Sequence, residues 1–186
     1  MRADLLSCSM EMFDELDNKG WFTGRVVSRE EAHENGLWHR AGLIFVVNSK
    51  SQVLMQKRSN NKKQWPGRWD GTAGGHADAG ELGLFAIIRE LKEEVGIEVS
   101  PSDVRYIGGY LSSHRKSEKM WDCHFNEFYV AHKDVDIASI KIDKNEVDQV
   151  MWIDFDKFKK WTTSRSPELT EKWEAFDALV QYMEQK

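Results

Sequence analysis

The sequence predicts an α/β fold in which a mixed sheet is packed between helices. Three observations lead there. Gly42 to Val47 and Val53 to Lys57 are short apolar-rich segments separated by the turn-forming stretch Asn48 to Ser51, the pattern of a buried hairpin. From about Glu81 to Val95 the apolar residues recur at helical rather than strand spacing. Strand-like segments then return before a last helical one, with no repeat, low-complexity tract or domain-scale linker between them. At 186 residues this predicts one domain with a modest extension. Residues 1–36 are expected to be an N-terminal extension carrying a hairpin and packed on the same domain, and residues 37–186 the main domain, ending in a helix.

Taken in order, Met10 to Asp17 and Trp21 to Val27 read as extended segments around the turn residues Asn18, Lys19 and Gly20. Ser28 to Gly36 is a polar stretch leading into Leu37, Trp38, His39 and Arg40. Asn60 to Asp70 is a polar, basic and aromatic loop interrupted by Pro66 and Gly67, and the Gly-rich Gly71 to His76 is a short strand or turn. In the helix that follows, Leu84, Ile87, Ile88, Leu91 and Val95 form one apolar stripe, and Gly96 supplies the stop. Val104 to Leu111, Cys123 to Ala131 and Val147 to Phe155 are further strand segments, with Lys133 to Lys144 a polar connection. The final helix is expected to start at Ser166–Pro167, an N-cap followed by Pro at the first helical position, with Leu169, Trp173, Phe176, Val180 and Met183 on one face.

Composition narrows the function. Forty per cent hydrophobic and 31% charged residues exclude a disordered or fibrous chain. The 31 acidic against 26 basic side chains give a net charge of −5, which argues against coating a nucleic-acid backbone yet allows a local basic pocket for a small anion. Cys8 and Cys123 are too few for a disulfide framework, and no CxxC metal signature is present. The longest strongly apolar run, Ala41 to Val47, is far below the roughly 20 residues that span a bilayer. Asp4, Glu11, Asp14 and Glu15 break the grammar of a secretory signal. A cytoplasmic chain with neither a membrane nor a stable nucleic-acid partner is expected, with the N-terminal hairpin a candidate surface for a homodimer.

On the 81–95 helix Glu90 and Glu94 stand next to each other, with Glu93 alongside, away from the apolar stripe. Lys92 projects nearer the stripe and does not neutralise them directly. Clustered carboxylates repel, and such a cluster suits a hard divalent cation, which takes oxygen ligands shared between carboxylates and substrate phosphates. An Arg-Glu-Leu-Lys-Glu-Glu helix is by itself common on solvated surfaces. The wider spacing changes the reading. Gly75, Glu81, Arg89, Glu90, Glu93, Glu94 and Gly96, with Leu91 and Ile97 at apolar positions, fill the pattern G-x5-E-x7-R-E-U-x-E-E-x-G-U from Gly75 to Ile97. Chance agreement at seven fixed identities is on the order of 10⁻⁹ per start point.

This stretch resembles the Nudix box, and the chain is similar to Nudix hydrolases over about residues 37 to 160. The resemblance implies a loop–helix–loop on an α/β/α sandwich that binds Mg²⁺ or Mn²⁺ and cleaves a diphosphate linked to another group. It implies Glu90 and Glu94 as the leading metal ligands, Glu93 and the Gly75 carbonyl as further ones, and Glu81, Arg89 and Gly96 as scaffold of the box. The chemistry is water attacking phosphorus, with a carboxylate to orient or deprotonate the water. Glu93, Glu127 and Glu146 are all open as that base, and Glu94 is also a catalytic candidate.

Outside the box, Gly36-Leu-Trp-His-Arg-Ala41, Gln56-Lys-Arg58, Lys62, Trp65-Pro-Gly-Arg-Trp69 and Gly75-His76 resemble the Nudix branch that holds isopentenyl-diphosphate isomerase and its hydrolase relatives. That resemblance implies that Arg58 and Lys62 grip the diphosphate, with His39 a further substrate contact. The isomerase pairs a cysteine and a glutamate around a metal held by histidines and glutamates. His33, His39 and His76 fall where its histidine ligands would be, and Glu127 where its catalytic glutamate would be. Gly74, however, stands in place of the cysteine and Phe125 in place of a metal-binding glutamate, so the proton relay lacks a member and hydrolysis is favoured. His114, His124 and His132 have no motif support. Trp152, Trp161 and Trp173 are expected in or against the core, whereas Trp65, Trp69 and Trp121 lie where contact with a base or apolar tail is open. The function expected is hydrolysis of a small organic diphosphate, a nucleoside di- or triphosphate or similar. The alternatives are isomerase-like chemistry and a non-catalytic diphosphate-binding module.

Overall fold

The computed structural model describes residues 10–117 and 120–185; Cys8 lies outside them. Strands β1 (Met12–Leu16) and β2 (Phe22–Ser28) pair antiparallel as a separate hairpin. Helix α1 (Arg29–Asn35) follows, then β3 (His39–Val47), β4 (Gln52–Arg58), β5 (Trp69–Asp70), β6 (Ala73–His76) and helix α2 (Gly83–Val95). The second half holds β7 (Val104–Ser117), β8 (Met120–His132), β9 (Val147–Asp154), α3 (Phe155–Thr163) and α4 (Trp173–Glu184). The main sheet has seven strands in the order β5-β4-β3-β8-β7, with β6 paired to β3 and β9 to β4. Among the described strand pairs β3 and β8 are the parallel one, from His39 opposite His124 to Val47 opposite His132.

Side-chain alternation along the strands builds two cores. Leu43, Phe45, Val47, Val53, Met55, Phe128 and Val130 face one way and pack against Phe158 of α3 and Phe176 and Leu179 of α4. Ile44, Val46, Leu54, Tyr129 and Ala131 face the other way and meet Ile87, Leu91 and Val95 of α2. The result is the expected α/β/α sandwich with an N-terminal hairpin. A small third core of Phe13, Val27 and Ala32, with Leu37 against it, lies between the hairpin and α1, and the hairpin meets later segments through Leu16 N on Trp38 O (2.8 Å) and Ala79 N on Met12 O (2.8 Å).

Strand β3 changes partner along its length. Ala41 to Ile44 pair with β6, whereas Val46 and Val47 pair with β4. Thr72 sits in the fork: its N–H donates to Ile44 O (2.9 Å), its hydroxyl donates to Leu54 O (2.6 Å), and the same hydroxyl accepts from Val46 N (2.8 Å).

Three expectations are corrected. The polar stretch 28–36 is a helix, capped by Ser28, whose hydroxyl accepts from Glu31 N (3.1 Å), and closed by Gly36 at φ +63°. Hydrophobic periodicity misses it because Ala32 and His33 are its buried residues. The stretch after β9 is helix rather than strand end from Phe155 on, with Phe158 and Thr162 buried one turn apart. The last helix starts at Trp173, not Ser166. Residues 166–172 are instead clipped to β5, with Trp69 N donating to Glu168 O (2.8 Å) and Thr170 N to Trp69 O (2.9 Å). Trp69 is accordingly buried in the core, while Trp152, Trp161 and Trp173 pack against it as expected.

Candidate active site

The site begins with a strand that carries no side chain at the point of contact. Helix α2 lies over β6 so closely that a Cβ on Gly75 would overlap the Glu90 carboxylate, while on the other face of β6 one on Gly74 would meet Leu43 Cδ1 of β3 at 2.8 Å. Gly75 thereby lets the Glu90 carboxylate rest directly on backbone. Glu94, one turn further, is 5% exposed; its Oε2 accepts from Gln56 Nε2 (2.8 Å) and Gly74 N (3.4 Å). No ion pair reaches Glu94 among the described residues. Burial, aided by Glu90 and Glu146, pushes the Glu94 carboxyl up to about 8. Burial likewise raises Glu90 to about 7, against the pull of Arg89 and with Glu93 and Glu146 adding to the rise.

Arg89 organises the rest of the box. Its guanidinium donates to both oxygens of Glu81 (3.2 and 2.9 Å), to Glu90 Oε1 (3.0 Å), to Glu93 Oε2 (3.1 Å) and to the carbonyl of His76 (3.0 Å). The hydrogen bonds to Glu81 lead in raising its pKa further above the ordinary arginine value. Glu81 and Arg89 thus tie the loop before α2, the helix and β6 together. Glu93 stays exposed, and Gly96, at φ +68°, ends the helix with its N–H donating to Lys92 O (3.0 Å). Lys92 pairs with Glu98, outside the carboxylate cluster.

Glu146, just before β9, acts on both Glu90 and Glu94 and pairs with Lys62. Arg58 is mostly buried: its Nε donates to Gln64 O (3.0 Å) and its Nη1 to Asp70 Oδ2 (3.4 Å). Asp70 is wholly buried and also accepts from Lys172 Nζ (2.8 Å), Thr170 Oγ1 (3.1 Å) and Gly71 N (2.8 Å). Burial opposes its charge, but Lys172 and Arg58 outweigh burial and hold the carboxyl below its ordinary value. Glu127 lies beside the start of α2, where a Cβ on Gly83 would overlap it; it accepts from Arg40 Nε (3.0 Å) and Tyr129 OH (2.6 Å). Burial and that Glu127 bond raise the Tyr129 phenol.

The structure gathers Gly75, Glu81, Arg89, Glu90, Glu93 and Glu94 as the spacing predicts. His39, expected to touch substrate, lies elsewhere and is fully buried. It belongs to a group of four imidazoles, His33, His39, His76 and His124, whose donor atoms all lie within 4.8 Å of one another. Burial holds His39 down to about 4 and His76 well below its ordinary value. His124 was not visible as a member in sequence, because it reaches His39 only through the parallel β3–β8 register.

A mixed sheet lies between helices, and a glycine strand and the next helix converge an arginine and several carboxylates on one spot, the architecture of an α/β protein with an all-oxygen side-chain cluster at a helix–strand contact. The chain belongs to the NUDIX family, whose domain profile matches residues 37–173. It is 30% identical over 162 residues to Nudix hydrolase 3 of Arabidopsis thaliana, covering 84% of this chain and 21% of the plant protein. It is 33% identical over 93 residues to an isopentenyl-diphosphate Delta-isomerase of Escherichia coli, covering 50% of this chain and 51% of the isomerase. The chain thus spans about a fifth of the first relative's length and about half of the second's. The solved structure of DR0079 from Deinococcus radiodurans shares the fold, with a TM-score of 0.66 at 18% identity over 94% of this chain and 98% of that one. No helix among the described residues is long and apolar enough to cross a membrane.

Proposed function

We propose that this chain hydrolyses the diphosphate linkage of a small organic diphosphate, with nucleoside di- and triphosphates the first class to test, in the presence of Mg²⁺ or Mn²⁺. One observation carries the reading: Glu94 is buried and the adjacent Glu90 half-buried, their carboxyls are pushed up to about 8 and about 7, and no cation pairs with Glu94 among the described residues. A desolvated acidic pair is destabilised unless protonated or joined by a cation, and the all-oxygen set fits a hard divalent ion. Glu90, Glu94, Glu93 and the Gly75 carbonyl would hold it. A bound Mg²⁺ or Mn²⁺ supplies charge neutralisation on the bridging and leaving oxygens of the diphosphate.

The chain's own groups divide the remaining work. Glu146 takes the proton of the attacking water, since its carboxylate is near enough to raise both Glu90 and Glu94. Glu93 and Glu127 are the other base candidates, but Glu127 is engaged by Arg40 and Tyr129. Lys62 contacts the diphosphate directly, released from Glu146 when substrate enters. Arg58 shapes the loop that carries Lys62 through its bonds to Gln64 and Asp70. Exposed Trp21 and Phe22 on the hairpin keep a homodimer surface in this reading.

The test is a panel of diphosphates with Mg²⁺ and Mn²⁺, with phosphate and pyrophosphate release both measured. Glu94→Gln is expected to lower hydrolysis by at least ~100-fold, and undiminished turnover would overturn the assignment. Isomerisation is disfavoured by Gly74, since a side chain there would meet Leu43 and the Gly42 carbonyl. Deuterium uptake from solvent into isopentenyl diphosphate without phosphate release would favour it instead. Tight binding of diphosphates with no turnover under any divalent ion would favour a binding module.

A further inference from the structure

We infer, resting on Glu94 as a metal ligand, that Gln56 is a positioning residue of the hydrolytic site: it holds one oxygen of Glu94 so that the other stays free for the divalent cation. Gln56 lies on β4 between two neighbours, opposite Asp70 of β5 on one side and Val150 of β9 on the other. Alternation along β4 sends Met55 into the core under α3 and α4 and Leu54 into the core under α2, so Gln56 points to the α2 side. There it is 2% exposed, and its Nε2 donates to Glu94 Oε2 at 2.8 Å.

Three features set this bond apart from ordinary packing. Both hydrogen bonds to the Glu94 carboxylate, from Gln56 Nε2 and Gly74 N, fall on Oε2, and Oε1 accepts none among the described residues. The donor is also neutral. Arg89 answers the charge of Glu90, whereas an amide orients Glu94 and leaves its charge for the cation. Finally, Gln56 Oε1 is buried with no hydrogen-bond partner. A buried acceptor left unmet is a cost, and methionine would fill the same length without it. The N–H of this side chain, not its own satisfaction, accounts for an amide here. Against an ionised Glu94 the reversed amide would set oxygen on oxygen, so one orientation bonds.

The frame around Gln56 is closed. Asp70, its register partner on β5, is wholly buried and accepts from Lys172 Nζ and Thr170 Oγ1 of the C-terminal segment and from Arg58 Nη1. The Gln56–Glu94 bond therefore ties the last turn of α2 to a strand that is held from both sides. Partners of this kind, one bond removed from a metal, orient the ligand that touches it.

The test is Gln56→Met, which keeps the length and loses the donor, read by electron paramagnetic resonance of free Mn²⁺ in titrations without substrate. The site followed is the one that Glu94→Gln removes. Mn²⁺ affinity should fall by ~10–100-fold, while Tm in chelator is not lowered, because an unmet polar group has been taken out. In Mg²⁺ assays on the diphosphate panel, kcat should fall at low Mg²⁺ and recover as Mg²⁺ is raised, with KM for the diphosphate unchanged. A glutamine that only packs would give a lower Tm with wild-type Mn²⁺ affinity. Unchanged affinity in folded Gln56→Met overturns the inference. If that variant does not fold, Gln56→Asn, one methylene short of Glu94, should weaken Mn²⁺ likewise, and unchanged affinity there overturns it equally. Wild-type protein that binds Mn²⁺ at this site yet hydrolyses none of the panel would refute the hydrolase reading alone, with the titrations still deciding the role of Gln56. A wild type with no Mn²⁺ site that Glu94→Gln removes would refute both.

Discussion

Glu94→Gln should make the metal-free protein more stable at pH 8 and leave it nearly unchanged at pH 5. The Glu94 carboxyl is raised from 4.5 to about 8 by burial. A group whose folded pKa exceeds its unfolded one contributes stability that is complete below the unfolded value and is lost as pH rises through the folded value. The window therefore runs from about pH 4.5 to about pH 8. At ~1.4 kcal/mol per unit, the ionised carboxylate costs on the order of 4 kcal/mol by the top of that window. An amide removes the charge and keeps the bonding: its oxygen accepts from Gln56 Nε2 and Gly74 N, and its N–H donates to Gln56 Oε1, which has no partner. Thermal unfolding in chelator should show the variant's Tm higher by about 5–15 °C at pH 8 and within about 2 °C at pH 5. Adding Mg²⁺ should raise the wild-type Tm at pH 8 and leave the variant's unmoved. A variant less stable than wild type at pH 8 in chelator would refute the reasoning, since the buried carboxylate would then be a net stabilising group.

Apparent Mg²⁺ affinity should fall steeply below about pH 7, where Glu90 and Glu94 hold protons, as calorimetric titration across pH would register. Gly75→Ala drives a Cβ into the Glu90 carboxylate; a loss of ~1–3 kcal/mol in stability and of Mg²⁺-dependent activity is expected from denaturant melts and assays. Lys172→Met leaves wholly buried Asp70 with Arg58 as its one charged partner, and should cost ~3–5 kcal/mol in urea unfolding at neutral pH. Arg89→Lys cannot span Glu81, Glu90 and the His76 carbonyl at once; kcat is expected to fall more than KM rises, because the loss is one of ligand positioning.

The box was legible because its spacing is local. Glu81, Arg89, Glu90 and Glu94 lie on one loop and helix, so sequence distance fixes their geometry. A mixed sheet between helices followed from the order of strand and helix segments, and the sandwich itself was what the Nudix resemblance implied. Helix α1 has no apolar stripe to announce it: Ser28 caps it by accepting from Glu31 N, while the Glu31 carboxylate turns to Arg25. Ser166–Pro167 carried a helix-start signal that tertiary contacts overrode, because residues 166–172 serve β5 and Asp70 instead. Arg58 was readable as a cation but not as the partner of Asp70, whose charge is answered by Lys172, 102 positions away. His124 depended on the register of two parallel strands far apart in sequence, and no motif encodes that.

The forked strand has a consequence of its own. Where β3 passes from one neighbour to the other, the Thr72 hydroxyl takes the part of a missing peptide group, giving a proton to Leu54 O and receiving one from Val46 N. Valine has the same outline but neither property, so that swap should unzip the junction while leaving both cores filled. The splice also marks a natural boundary. There one residue closes the seam on three sides, its hydroxyl bridging Leu54 O and Val46 N and its N–H reaching Ile44 O.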